Sequence, residues 1–142
     1  MRRLSKLRSL TGEERRLLLD ALLMCGVIRV ALSIVPFRAV RRTLRLCRPL
    51  AQRERGAASL EDIGTAVATA GRHVPGSTCL TEALVGEILL SRRGFPARLR
   101  MGVAREAGEL RAHAWVESKG TIVIGGHGGA YTPLLGRGEA QV

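Results

Sequence analysis

The sequence predicts an α+β fold, and three observations predict it. Apolar residues recur at helical spacing in several stretches up to Leu90. After Pro96 the period changes from helical to two. Helix-stop signals at Gly94 and Pro96 separate the two regimes. Helices followed by an antiparallel meander give α+β rather than a parallel α/β sheet. A chain of 142 residues has room for one domain, 1–142. Its helical N-terminal portion covers 1–56, and a core over 57–142 carries the reactive residues.

Thr11-Gly12-Glu13-Glu14 reads as a helix start, with Thr11 as cap and Glu14 completing a capping box. Leu18, Ala21, Leu22 and Cys25 follow at helical spacing. Leu17 to Phe37 is apolar for about the length of a membrane span. It also holds Asp20 and Arg29, each costing about 2.5–3.5 kcal/mol at a bilayer centre. The stretch is therefore read as a buried helix or helix pair, with membrane contact at most peripheral. Pro36 ends or kinks it. A second helix, Phe37 to Leu46, turns Arg38, Arg41, Arg42 and Arg45 to a basic face, and Pro49 closes it. AQRERGAAS reads as a loop.

Leu60 to Arg72 is helical, with Leu60, Ile63, Val67 and Ala70 on one stripe, and Pro75-Gly76 breaks it. Ser77 or Thr78 then caps a helix in which Cys79, Ala83, Gly86 and Leu90 share a face. Cys79 thus falls in the first turn. ARLRMGV alternates, with Leu99, Met101 and Val103 on one side. Glu106-Ala107-Gly108 is a turn. In the next strand Leu110, Ala112, Ala114 and Val116 take one face, and Arg111, His113, Trp115 and Glu117 the other. Lys119-Gly120 turns the chain into a third strand, TIVI, and the tail is glycine-rich.

Composition narrows the function. Hydrophobic residues are 46% and aromatics only 3%, so the core is aliphatic and the chain is not of the disordered class. The net charge of +11 suggests an anionic partner, although an arginine-rich chain kept soluble accounts for it equally. Four aromatics in all (one Trp, one Tyr, two Phe) cannot build a single-strand stacking platform, and no nucleic-acid motif is present. Three widely spaced cysteines are neither a disulfide framework nor a zinc signature, so no metal is expected. Free thiols and the lack of a signal-peptide pattern suit the cytoplasm.

A thiol becomes a good nucleophile only as the thiolate, and a free cysteine ionises near about 8.5. A helix N-terminus favours an anion, and an imidazole nearby can take the thiol proton. Cys79 is placed for the first, and His113 is the candidate for the second. Each also has a plain reading: a small buried hydrophobe for Cys79 and a solvent-facing strand histidine for His113. Cys25 and Cys47 lie in apolar helical stretches and are read as packing residues. His73 reads as a satisfied surface histidine.

The block C-L-T-E-A-L-V-G-E-I-L-L-S-R-R-G-F-P-A-R-L-R-M-G-V, then H-A-W-V-E and a closing Y-T-P-L, resembles the transglutaminase-like peptidases of lasso-peptide biosynthesis. E-R-R-L-L-L-D-A-L-L and V-P-F-R near the N-terminus are similar to theirs as well. The resemblance implies a transglutaminase-like, papain-like core. It implies Cys79 as nucleophile and His113 as base, in a peptidase that removes the leader from a ribosomally made precursor peptide. It further implies two partners, a separate leader-binding protein and a lasso cyclase. The family reaction has been linked to ATP, but no G-x-x-x-x-G-K-[ST] locates a nucleotide site, so no cofactor is evident.

One position departs from that family. An aspartate usually stands twelve residues past the histidine, and here that residue is Gly125. Glu117 is about 13 Å along the strand from His113, too far to orient the ring. His127, a backbone carbonyl or a water are the substitutes in view. Trp115 reads as a cleft wall or a plain core aromatic. The arginines from Arg38 to Arg48 are expected to dock an acidic leader or its binding protein. The rival reading is a non-catalytic peptide-binding module on a decayed fold, and a small nucleic-acid-binding protein ranks last.

Overall fold

In the computed structural model of the chain, residues 9–51, 58–126 and 132–133 are described. Helix α1 (Gly12–Ile34) starts at the Thr11–Glu14 capping box, both halves of which are formed. It ends at Val35, one residue before Pro36. Helix α2 (Phe37–Ala51) follows at once. It runs through Pro49 rather than closing there, which corrects the expected end and the expected loop start at Ala51. Pro49 lies in the last turn, where its missing N–H forgoes the hydrogen bond to the Arg45 carbonyl but few residues remain for it to disrupt.

Helix α3 (Leu60–His73) begins at a second capping box, Ser59 with Asp62, and buries Ile63, Ala66, Val67 and Ala70. Helix α4 (Cys79–Arg92) is capped by Thr78, whose hydroxyl accepts from the Thr81 N–H. It stops at Arg93 and Gly94. Nearly every residue from Ala83 to Ser91 is buried, so α4 is the axis of the molecule.

Strands β1 (Arg98–Glu106), β2 (Glu109–Ser118), β3 (Thr121–Ile124) and β4 (Thr132–Pro133) form one antiparallel sheet in the order β3-β2-β1-β4. The turns fall at Ala107-Gly108 and Lys119-Gly120, as the sequence indicates. Strand β4 was read only as part of a glycine-rich tail. It is two residues long, too short for a periodic pattern to reveal.

The core joins Leu17, Ala21, Cys25 and Ile28 of α1 to the buried faces of α3 and α4, and to Leu99, Ala114, Val116 and Ile124 of the sheet. At Gly86 the α4 backbone meets β3 so closely that a Cβ would lie 1.7 Å from Ile124 Cδ1. Two expectations need correcting here. Leu110 and Ala112 are exposed, because the outer half of the β1–β2 hairpin extends past the helices. And α1 is buried along one face only. Leu19, Leu23, Val27, Val30 and Ile34 stand in solvent at helical spacing.

Candidate functional site

Cys79 is the first residue of α4. Its side chain is partly exposed and packs against the core cluster. The Thr78 cap fixes where the helix begins, so the first-turn N–H groups lie beside this cysteine. On the approach to it, the Arg29 guanidinium of α1 lies against Gly76, where a Cβ would fall 2.8 Å from Nε.

His113 lies in the middle of β2, opposite Gly102 of β1. Its Nε2 is 3.2 Å from the carbonyl oxygen of Gly125, just past the end of β3. A carbonyl only accepts, so Nε2 must carry the proton. In the neutral ring that makes Nδ1 the basic nitrogen. Gly125 has φ +80, where a side chain is strained. A Cβ there would come 2.9 Å from the Ala114 oxygen and 3.2 Å from His113 Nε2. The backbone thus supplies the orienting acceptor at the very residue where an aspartate was expected.

Trp115 stacks on His113, with ring centroids 6.2 Å apart and an interplanar angle of 19°. It is buried, yet outside the main core. Its Nε1 donates to Glu117 Oε1 at 3.0 Å, and Glu117 Oε2 lies 3.4 Å from Arg100 Nε. The row His113, Trp115, Glu117 and Arg100 therefore braces the imidazole ring through its neighbour. Glu117 acts on Trp115, not on the histidine.

Glu82, which the sequence reading passed over, stands one turn into α4 from Cys79. Its carboxylate occupies the space left by Gly71 of α3, where a Cβ would lie 2.1 Å from Oε1. Burial raises its pKa above the ordinary 4.5, and the nearby charges of Arg72 and His113 pull the other way. The folded chain thus holds this proton more tightly than the unfolded chain. The gain in stability is present below 4.5 and is lost as pH rises through the folded-state value. Glu82→Gln should therefore melt higher than the parent at neutral pH, the difference closing below pH 4.5. Thermal unfolding followed by circular dichroism across that range checks this. A pH-independent difference would show that desolvation of the carboxylate is not the cause.

Not every sequence candidate enters this group. Among the described residues, no hydrogen bond joins the Cys79 thiol to His113. The link visible between them is Glu82, on the cysteine's helix and in electrostatic reach of the histidine. Cys25 is fully buried, and burial, with Glu82 adding to it, pushes its thiol up to about 11. His73 is exposed, its Nδ1 on the Thr69 carbonyl at 2.7 Å. His127 and the side chains of Cys47 and Arg48 lie outside the described residues. The expected arginine face loses Arg41, which turns inward to an ion pair with Glu87 of α4, and keeps Arg38, Arg42 and Arg45 exposed.

The chain matches no curated protein and no solved structure. What does match is a family. A cysteine opening the central helix and a histidine in the second strand of an antiparallel sheet lie within residues 22–136, which fit the transglutaminase-like superfamily. With most of its length so matched, the chain belongs to the transglutaminase-like superfamily.

Proposed function

We propose that the chain is a cysteine peptidase that removes the leader from a ribosomally made lasso-peptide precursor. The observation that carries the reading is the position of Cys79 as first residue of a capped central helix in a transglutaminase-like chain. The finer assignment to leader removal rests on the Cys block, H-A-W-V-E and Y-T-P-L.

In this reading His113 Nδ1 takes the Cys79 proton, and the thiolate sulfur bonds to the carbonyl carbon at the leader–core junction. First-turn N–H groups of α4 stabilise the oxyanion. Collapse breaks the C–N bond, and the imidazolium returns its proton to the departing amine. Water, deprotonated by His113, then releases the leader as a carboxylic acid and restores the thiol. Atoms balance with water alone, so no step is routed through ATP. The precursor, a leader-binding protein and a cyclase that acts on the product are the partners in this reading, and the compartment is the cytoplasm.

The experiment is to combine the chain with a precursor and its leader-binding protein and to look by mass spectrometry for free leader and core. An intact precursor in the complete mixture would overturn the proposal. A second reading, a peptide-binding module without catalysis, draws on Gly125 standing where an aspartate was expected. Thiol labelling separates the two. Iodoacetamide at neutral pH should label Cys79 at least about tenfold faster than buried Cys25, and His113→Gln should remove most of that advantage. Equal labelling of Cys79 in the parent and in His113→Gln would favour the binding module.

A further inference from the structure

Helix α1 presents an aliphatic stripe that the fold does not use. Leu19, Leu23, Val27, Val30 and Ile34 are 58–77% exposed. They follow one another at intervals of three or four, which places them in a line about 22 Å long. From Leu19 to Pro36 no exposed residue carries a charge. Ordinary surface helices of globular proteins turn charged and polar residues outward instead. Charge returns at both ends, with Glu13 and Glu14 beside exposed Arg15 and Arg16 before the stripe, and exposed Arg38, Arg42 and Arg45, without an acidic neighbour in residues 37–46, after it.

We infer that this stripe docks the chain on an anionic phospholipid surface. The helix is long and apolar enough to cross a membrane. Crossing would, however, withdraw Leu17, Ala21, Cys25 and Ile28 from the core, so the helix lies along the interface with its inner face still packed. Arginines at the two ends can reach up to phosphate groups while the aliphatic side chains enter the acyl boundary. A second copy of the chain is a poor occupant, because each copy carries +11. A protein partner fits less well, because the stripe has no Trp or Tyr, two of the anchors that dominate protein interfaces. This inference is independent of the proposed peptidase activity.

Flotation with vesicles tests it. The parent should float with vesicles rich in phosphatidylglycerol and stay behind with pure phosphatidylcholine. Its binding should weaken as salt is raised. The double variant Leu23→Glu/Val27→Glu changes only exposed side chains, so its circular dichroism and melting should match the parent. Its affinity for the anionic vesicles should fall about tenfold or more. A parent that does not float overturns the inference, and so does a variant that floats equally well. It is also overturned if the parent fails to float and the variant instead dissolves a dimer seen by ultracentrifugation, or loses binding to the leader-binding protein. Those results would assign the stripe to a second copy or to a protein.

Discussion

Cys79→Ala should lower precursor cleavage by roughly 10⁴-fold or more, the scale seen when a nucleophile that works as one unit with its base is removed. The loss should come with little change in stability. Cys79 is only partly buried, and the helix start is held by Thr78 and not by the cysteine. The side chain removed is one sulfur, so a cost of about 1 kcal/mol or less is expected. His113→Ala should reduce cleavage on a similar scale, and the double variant should be little worse than either single one. Single-turnover cleavage followed by mass spectrometry measures all three, with melting temperature as the control. Undiminished cleavage by Cys79→Ala would remove the nucleophile from this site. Cys25 could not easily replace it, since that thiol is buried and pushed up to about 11.

The reliance on one sulfur and one imidazole shows which parts of the site a sequence can carry. Local signals were legible because they act over three or four residues. The Thr11–Glu14 box, the Thr78 cap, the Gly94 stop and the two hairpin turns each fix a backbone conformation nearby. They sufficed to put Cys79 at a helix start and His113 in the second strand. The Ser59–Asp62 box is equally local, but Ser59 closes the small, polar run AQRERGAAS and takes on the look of a loop residue. Other features depend on where distant elements meet. Glu82 lies against Gly71 and within reach of Cys25 and His113, and nothing in its immediate sequence marks that. Gly125 is a different case. A carbonyl was among the substitutes in view, but the donor it would serve depends on how β3 ends beside β2. The sidedness of α1 was illegible for a further reason. Between Leu17 and Ile34 the only polar side chains are Asp20, Arg29 and Ser33, too few to mark which face is turned inward.

The ion pair of Arg41 and Glu87 lies 46 residues apart in the chain, and its removal is the largest stability change expected outside the core. The two side chains are 13% and 11% exposed, so each charge depends on the other instead of on water. Arg41→Met leaves the Glu87 carboxylate unpaired inside the helical layer. Breaking a buried pair from one side costs about 3–5 kcal/mol. Because this pair keeps some solvent contact, the lower end, about 3 kcal/mol, is the expected loss in urea unfolding. Replacing both partners at once, Arg41→Met with Glu87→Leu, removes the stranded charge and should recover most of that loss. The reason to keep such a pair lies in α2 itself. Val40 is its only buried residue among those described, with Phe37 and Leu44 partly covered. Within residues 37–46 that apolar packing is thin, and a charge pair that fits in one register adds a constraint on the rotation of α2 against α4. A loss under about 1 kcal/mol in Arg41→Met would mean that water screens the carboxylate. Apolar contacts such as those of Val40, Phe37 and Leu44 would then hold α2 in place.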